Sequence, residues 1–431
     1  MHGLLTQTLS RVVKARPDEA RAMLWAFVYF FCLLSSYYIL RPLRDESGVA
    51  AGIGNLQWLF SGTFFVMLAA APMFGALVTR VPRRRFIPWI YHFFAASLLL
   101  FFLLGHLAPK QSYIAGAFFM WVSVFNLFVV TVFWGFMADL FNNEQGKRLF
   151  GFIAAGGSAG ALIGPALTAG LALPLGPVNL LLISALFLEA AVQCVRQILQ
   201  TPQAQKPAEH TAAQSANDEI IGGGILAGLT EILRSPFLML ICCHVLLLSL
   251  TSTFLYFQQA SIVSAAFDNP AQRTRVFALI DLSVGLVTIA LQLTVTGRVL
   301  VRLGVGAALA SLALVTMVGF LALAIVPALG MVVIFQAVKR AAEFGFANPA
   351  RETLFTVVTR EQKYKAKSII DTAVFRGSDA VNGWLYAGLR GLGLDLSGIA
   401  LIAVPISAVW AGLLLVLGRK QERLSSRAPA E

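Results

Sequence analysis

Ionisable residues stand inside stretches of this chain that are otherwise apolar, and these residues are where chemistry is expected. Glu189, Asp281, Lys339, Arg340, Glu343, Asp371, Arg376 and Asp379 all fall within apolar runs, and Arg41, Arg44, Asp45 and Glu46 cluster at the end of the first run. An ionised side chain at the centre of a bilayer costs about 2.5–3.5 kcal/mol on insertion scales, so such groups face a cavity or a partner. Arginine forks match phosphate and carboxylate in bidentate geometry, which makes an anion the natural ligand. Arg41 and Arg44 share a helical face if the helix continues through Pro42, which lacks a backbone donor. Tyr37 and Tyr38, a turn earlier, are placed to stack on a planar ring or to anchor at the membrane interface. The residues alone therefore nominate Tyr38, Arg41, Arg44, Asp281, Arg340, Asp371 and Arg376 as substrate contacts. A structural role competes with that one. Arg376 with Asp379, and Lys339 with Glu343, are spaced to pair along one helix face and lock helices together.

No enzyme constellation accompanies these charges. The five histidines are not paired at helical spacing, with His244 reading equally as a packing residue or a proton relay. Cys32, Cys194, Cys242 and Cys243 lie in apolar runs without zinc-site spacing, so they read as small core residues. Neither catalytic residue, metal nor cofactor is expected. Gly156, Gly160 and Gly164 recur at four-residue intervals before Pro165, the pattern that lets helix backbones approach closely, and the Lys-Ser/Thr of a phosphate loop is missing.

The elements that must position these residues follow from composition. Hydrophobic residues make up 58% of the 431 and charged residues 13%, about half the charge of a soluble domain. Lipid is the solvent that resolves such a composition, and in lipid every backbone amide must be satisfied internally. Apolar runs of about 20 residues select helices over a barrel. The expected fold is all-α and polytopic, with about twelve transmembrane helices. The tenth and eleventh spans are placed at 329–347 and 366–389. No cleavable signal peptide is expected, because the first apolar run is long enough to span.

A cytoplasmic segment 1–21 precedes a six-helix half at 22–197, a Gln/Ala/Pro-rich linker at 198–235, a second six-helix half at 236–418 and a tail at 419–431. The net charge of +12 comes from Lys and Arg that fall mostly on one side of this arrangement. That bias is the positive-inside rule, so it sets orientation and does not point to nucleic acid. Both termini are expected in the cytoplasm, with the chain in a bacterial inner membrane. The expected partners are a small anionic substrate and the bilayer, and the expected state is monomeric.

Two internal matches support a duplicated half. Gly75-Ala-Leu-Val-Thr-Arg80 before Pro82 parallels Gly297-Arg-Val-Leu-Val-Arg302 before Gly304. Glu144-Gln-Gly-Lys-Arg148 parallels Glu361-Gln-Lys-Tyr-Lys365, each followed by a Gly-Ser pair. The first loop resembles the GxLxDRxGRR signature of the major facilitators through Gly75, Leu77, Arg80, Arg83 and Arg84. Thr79 and Pro82 depart from it. That resemblance implies an inner gate, with Arg80, Arg84 and Arg302 as its candidate residues, and an altered latch where the Asp is lost.

The stretch 339–371, with Arg340, Phe344, Phe346, Arg351-Glu352, Lys363, Lys365, Lys367 and Ile370-Asp371, resembles the ATP/ADP translocase family, a divergent branch of the major facilitators. Tyr38-Ile-Leu-Arg41-Pro-Leu-Arg44-Asp45 and Phe133-Trp134-Gly135-Phe136 agree with it. The resemblance implies exchange of nucleotides or other phosphorylated compounds by alternating access, and it adds Arg351 and Lys367 to the substrate contacts. Arg44 stands where the family has Lys. Glu343 and Asp379 stand where it tends to have Lys, which favours a less charged cargo than ATP. A proton-coupled facilitator of an unrelated solute or lipid, using Asp281 or Asp371, is the alternative. A scaffold or scramblase acting through the linker and basic tail is another.

Overall fold

The computed structural model describes residues 16–80, 83–108, 111–205, 225–294 and 296–426. Among the described residues the ordered elements are all helical. Helix α1 (Pro17–Ala50) starts on a proline at its first turn, where the missing N–H is an orphan in any case. Glu19 Oε2 accepts the Arg16 backbone N–H at 3.1 Å. The helix runs unbroken through Pro42 to Ala50, so the Arg41–Glu46 cluster lies on its last three turns.

A single 3₁₀ turn (Ile53–Asn55) leads into α2 (Leu56–Arg80), followed by α3 (Arg83–Leu107) and α4 (Ser112–Leu140). Helix α5 (Asn143–Leu175) opens on a reciprocal cap. Asn142 Oδ1 accepts the Gln145 N–H at 2.8 Å, and Gln145 Oε1 accepts the Asn142 N–H at 3.0 Å. After α6 (Leu180–Leu199) come α7 (Ile225–Arg234), α8 (Pro236–Ala266), α9 (Pro270–Thr294) and α10 (Thr296–Ile325). Helix α10 breaks at Gly304, whose φ of 78° suits a residue without Cβ. The chain closes with α11 (Leu329–Ala342), α12 (Asn348–Leu354), α13 (Arg360–Ile369), α14 (Phe375–Gly391) and α15 (Leu396–Ser425).

Ten helical segments among the described residues are long and apolar enough to cross a membrane. Those expected at 329–347 and 366–389 take another form. Helix α11 passes through a π-helical turn at Glu343–Ala347 into α12, and α13 passes through a second at Ile370–Val374 into α14. Both interruptions coincide with charged residues, Glu343 and Asp371. Single π turns inside helices are rare and concentrate at functional sites.

Two compact units result. The first comprises the described residues of Met1–Ala51, Phe65–Glu219 and Asn269–Leu282. Its core is aromatic, with Phe30 stacked on Phe133 at 4.1 Å and Tyr29 hydroxyl-bonded to Tyr91. Helix α5 lies directly on α1: a Cβ added at Gly156, Gly160 or Gly164 would sit 2.3 Å from Phe27 O, 2.5 Å from Phe31 O and 2.7 Å from Tyr38 Cβ respectively. The stripe is thus a backbone-to-backbone seam. The second unit comprises the described residues of Gly52–Phe64, Ile220–Asp268 and Ser283–Glu431. There α10 meets α15 through glycines, a Cβ at Gly418 falling 2.2 Å from Gly306 Cα. Trp410 is fully buried in this unit and donates its indole N–H to His244 Nδ1 at 3.0 Å. His244 is therefore a satisfied packing residue.

Candidate functional site

In the first unit the continuity of α1 sets the geometry. Tyr37 and Tyr38 pack edge to face at 5.2 Å, and the Arg41 guanidinium lies 5.9 Å from the Tyr38 ring centre. Arg41 Nε reaches Asp281 Oδ2 of α9 at 3.6 Å, where the Asp281 side chain is 2% exposed and that of Arg41 23%. Arg44, one turn further, stacks its guanidinium over Phe119 at 4.0 Å, and its Nη1 stands 3.5 Å from Asp45 Oδ1. Its Nε is buried without a hydrogen-bond partner among the described residues. Tyr38, Arg41 and Asp281 thus form one group, with Arg44 beside it.

A second ion pair joins the same two helices. Arg273 donates from Nη2 at 2.6 Å and from Nε at 3.2 Å to Glu46 Oε1. Sequence reasoning missed this pair because Arg273 falls just ahead of the apolar run and counts as a loop residue. The only available signal was Glu46, an acid in an apolar setting.

In the second unit the remaining candidates separate. Arg351 is ion-paired to Asp371, and Lys367 Nζ reaches Glu352 Oε2 at 2.6 Å while lying 5.5 Å from the Phe355 ring. These two pairs tie α12 to α13 and to the second π turn. Arg376 Nη1 stands 3.8 Å from Asp379 Oδ2, as its spacing allows. Asp379 Oδ1 accepts from Ser249 Oγ at 2.7 Å, and Asn382 donates to both Ser249 Oγ and Ser378 Oγ at 3.0 Å. Lys339 is buried; its Nζ donates to Ser252 Oγ at 2.7 Å and lies 3.7 Å from Glu343 Oε2. Arg340 is half-buried one residue on. The side chains of Arg80, Arg84 and Arg302, the expected gate residues, lie outside the described residues.

Six of the ion pairs among the described residues separate by closeness. Arg273–Glu46, Arg351–Asp371 and Lys367–Glu352 are close contacts, at or below the 2.7–2.9 Å typical of charge-assisted hydrogen bonds. Arg41–Asp281, Arg44–Asp45 and Arg376–Asp379 stand at 3.5–3.8 Å, beyond that range. A loose pair neutralises charge while leaving guanidinium N–H groups to engage a ligand.

Comparison with known proteins agrees with this architecture. The family model described as Major Facilitator Superfamily matches residues 22–350. ADP,ATP carrier protein 1 of Chlamydia trachomatis serovar D is 24% identical across 91% of this chain and 87% of its own length. Its counterpart in Chlamydia muridarum is 24% identical over 86% and 82%. Among solved structures, a POT family transporter in complex with a thioalcohol-conjugated peptide superposes with a TM-score of 0.63 at 11% identity, covering 94% of this chain and 97% of that one. The nucleoside transporter NupG superposes at 0.61 and 14% identity, covering 96% and 100%.

Proposed function

The chain belongs to the Major Facilitator Superfamily and is a multi-pass membrane transporter, and from that premise we propose that it exchanges an organic anion, a nucleotide or another phosphorylated metabolite, by alternating access. The observation that carries this reading is the α1 group. Arg41 and Arg44 lie inside a helix long enough to span, each beside an aromatic ring and each loosely paired with a carboxylate. A phosphate takes up the remaining N–H groups of such forks, and the Tyr38 ring offers a face to a planar base. Similarity to the chlamydial ADP,ATP carriers supports a phosphorylated cargo. On this reading Arg41 and Arg44 contact substrate, whereas in the second unit Arg351, Lys367 and Asp371 brace the π turns. The protein would lie in a bacterial inner membrane with both termini cytoplasmic, oriented by its lysines and arginines.

Proteoliposomes loaded with unlabelled nucleotide are expected to take up labelled nucleotide. Arg41→Ala should weaken apparent affinity about 10- to 100-fold, the value of one hydrogen bond to a charged group. Absence of uptake across a panel of nucleotides, sugar phosphates and inorganic phosphate refutes the reading. A second reading, proton-coupled transport of another solute, is favoured by one feature, the nearly fully buried Asp281 carboxylate on α9. Uptake driven by an imposed pH gradient and decoupled by Asp281→Asn would select it over exchange.

A further inference from the structure

We infer that Asp281 is a tethered stand-in for the transported anion, and that it makes movement of the cargo conditional on exchange. The inference rests on the anion reading of the Arg41 group. Helices α1 and α9 are joined by two rungs of opposite polarity. At one rung α1 supplies the cation and α9 the anion, Arg41 to Asp281 at 3.6 Å; at the other α1 supplies the anion and α9 the cation, Glu46 to Arg273 at 2.6 Å. Alternating polarity makes the ladder register-specific, since a slip of one helix along the other would bring like charges together. The Glu46–Arg273 rung is tight and about 10% exposed on each side, which suits a structural bond. The Arg41–Asp281 rung is loose, and its arginine is the more accessible member.

Asp281 occupies the position relative to Arg41 that a cargo carboxylate or phosphate would take. With no cargo, Asp281 neutralises Arg41 and holds α9 on α1. When a stronger bidentate anion engages Arg41, the Arg41–Asp281 rung opens, so the helices part more readily. The carrier therefore reorients when loaded and stays latched when empty, which is what exchange without net leak requires.

Two readouts test this on the full-length protein. Ser47, half-buried beside Glu46 in the wall of a cavity of about 450 Å³, is changed to Cys, and its labelling by a soluble maleimide is followed in nanodiscs. Asp281→Asn and Arg273→Gln should each raise the labelling rate about tenfold, and the exchanged pair Glu46→Arg with Arg273→Glu should restore it. In liposomes preloaded with labelled ADP, efflux from the parent should require external ADP, and Asp281→Asn should lose about tenfold of that requirement. Asp281→Asn that labels no faster, or that still requires external ADP, overturns the stand-in role while leaving the anion reading intact. A parent that moves none of a panel of nucleotides, sugar phosphates and inorganic phosphate overturns the anion reading, and the stand-in role falls with it.

Discussion

Gly160→Ala is the sharpest test of how α1, the helix that carries Tyr38 and Arg41, is held in place. A methyl at this position meets Phe31 O at 2.5 Å and Ser35 N at 2.9 Å. Both are backbone atoms of α1, so no side-chain rotation relieves the overlap. Reaching ordinary contact requires α1 and α5 to separate locally by about 1 Å, and overpacking of this kind costs about 1–3 kcal/mol. Replacing a helical glycine by alanine returns about 1 kcal/mol, leaving a net destabilisation of up to about 2 kcal/mol. At about 2–4 °C per kcal/mol for a unit of this size, the apparent Tm should fall by up to roughly 8 °C, and in every case lie below that of a glycine-to-alanine change in open space. Gly170→Ala is the internal control. It lies on the same helix with nothing within 4 Å of its added Cβ, so it should leave Tm unchanged or raise it. The assay is intrinsic-fluorescence melting in one detergent, with initial uptake rate measured beside it. Equal Tm for Gly160→Ala and Gly170→Ala would refute the seam.

In the second unit Gly418→Ala, whose Cβ would fall 2.2 Å from Gly306 Cα, should lower Tm in the same assay, whereas Gly412→Ala, in open space, should not. Trp410→Phe removes the indole donor to His244 Nδ1 and should cost about 1–3 kcal/mol, read as a Tm shift that His244→Leu largely offsets when combined with it. Glu19→Ala strips the acceptor shared by Gln145 and Arg148, at 2.9 and 3.1 Å, and leaves polar donors without it at the start of the α1–α5 seam. A loss of about 1.5–3 kcal/mol is expected for removing a charged acceptor of this kind, measured as reduced folded yield and Tm.

Much of the architecture was legible because lipid imposes few solutions. Apolar runs of about 20 residues form helices whatever their neighbours do, since the backbone has no other partner there. The glycine stripe at 156, 160 and 164 was readable as a seam because helical periodicity puts residues four apart on one face. The same rule anticipated Lys339 beside Glu343 and Arg376 beside Asp379. The seam's partner was not readable, because Phe27, Phe31 and Ser35 carry no mark that distinguishes them from other residues of an apolar helix. Nor were the π turns at Glu343–Ala347 and Ile370–Val374, which arise when packing and ion pairing override the local preference for the α register.

The division at the candidate site is sharper. Residue types and local spacing determined by themselves that charge is buried in a helical membrane protein and that the charge is rich in arginine; that one helix carries Tyr38, Arg41 and Arg44 through Pro42 was decided by the structure. Only the tertiary structure decided which carboxylate each arginine meets and how closely. Asp281 and Glu46 become partners of Arg41 and Arg273 because the first turns of α9 come within side-chain reach of α1, a contact between distant segments that no local pattern encodes. The distinction between a 2.6 Å brace and a 3.6 Å pair open to a ligand is a matter of side-chain geometry. It depends on packing around both helices at once, and a linear sequence carries the charges without the distances between them.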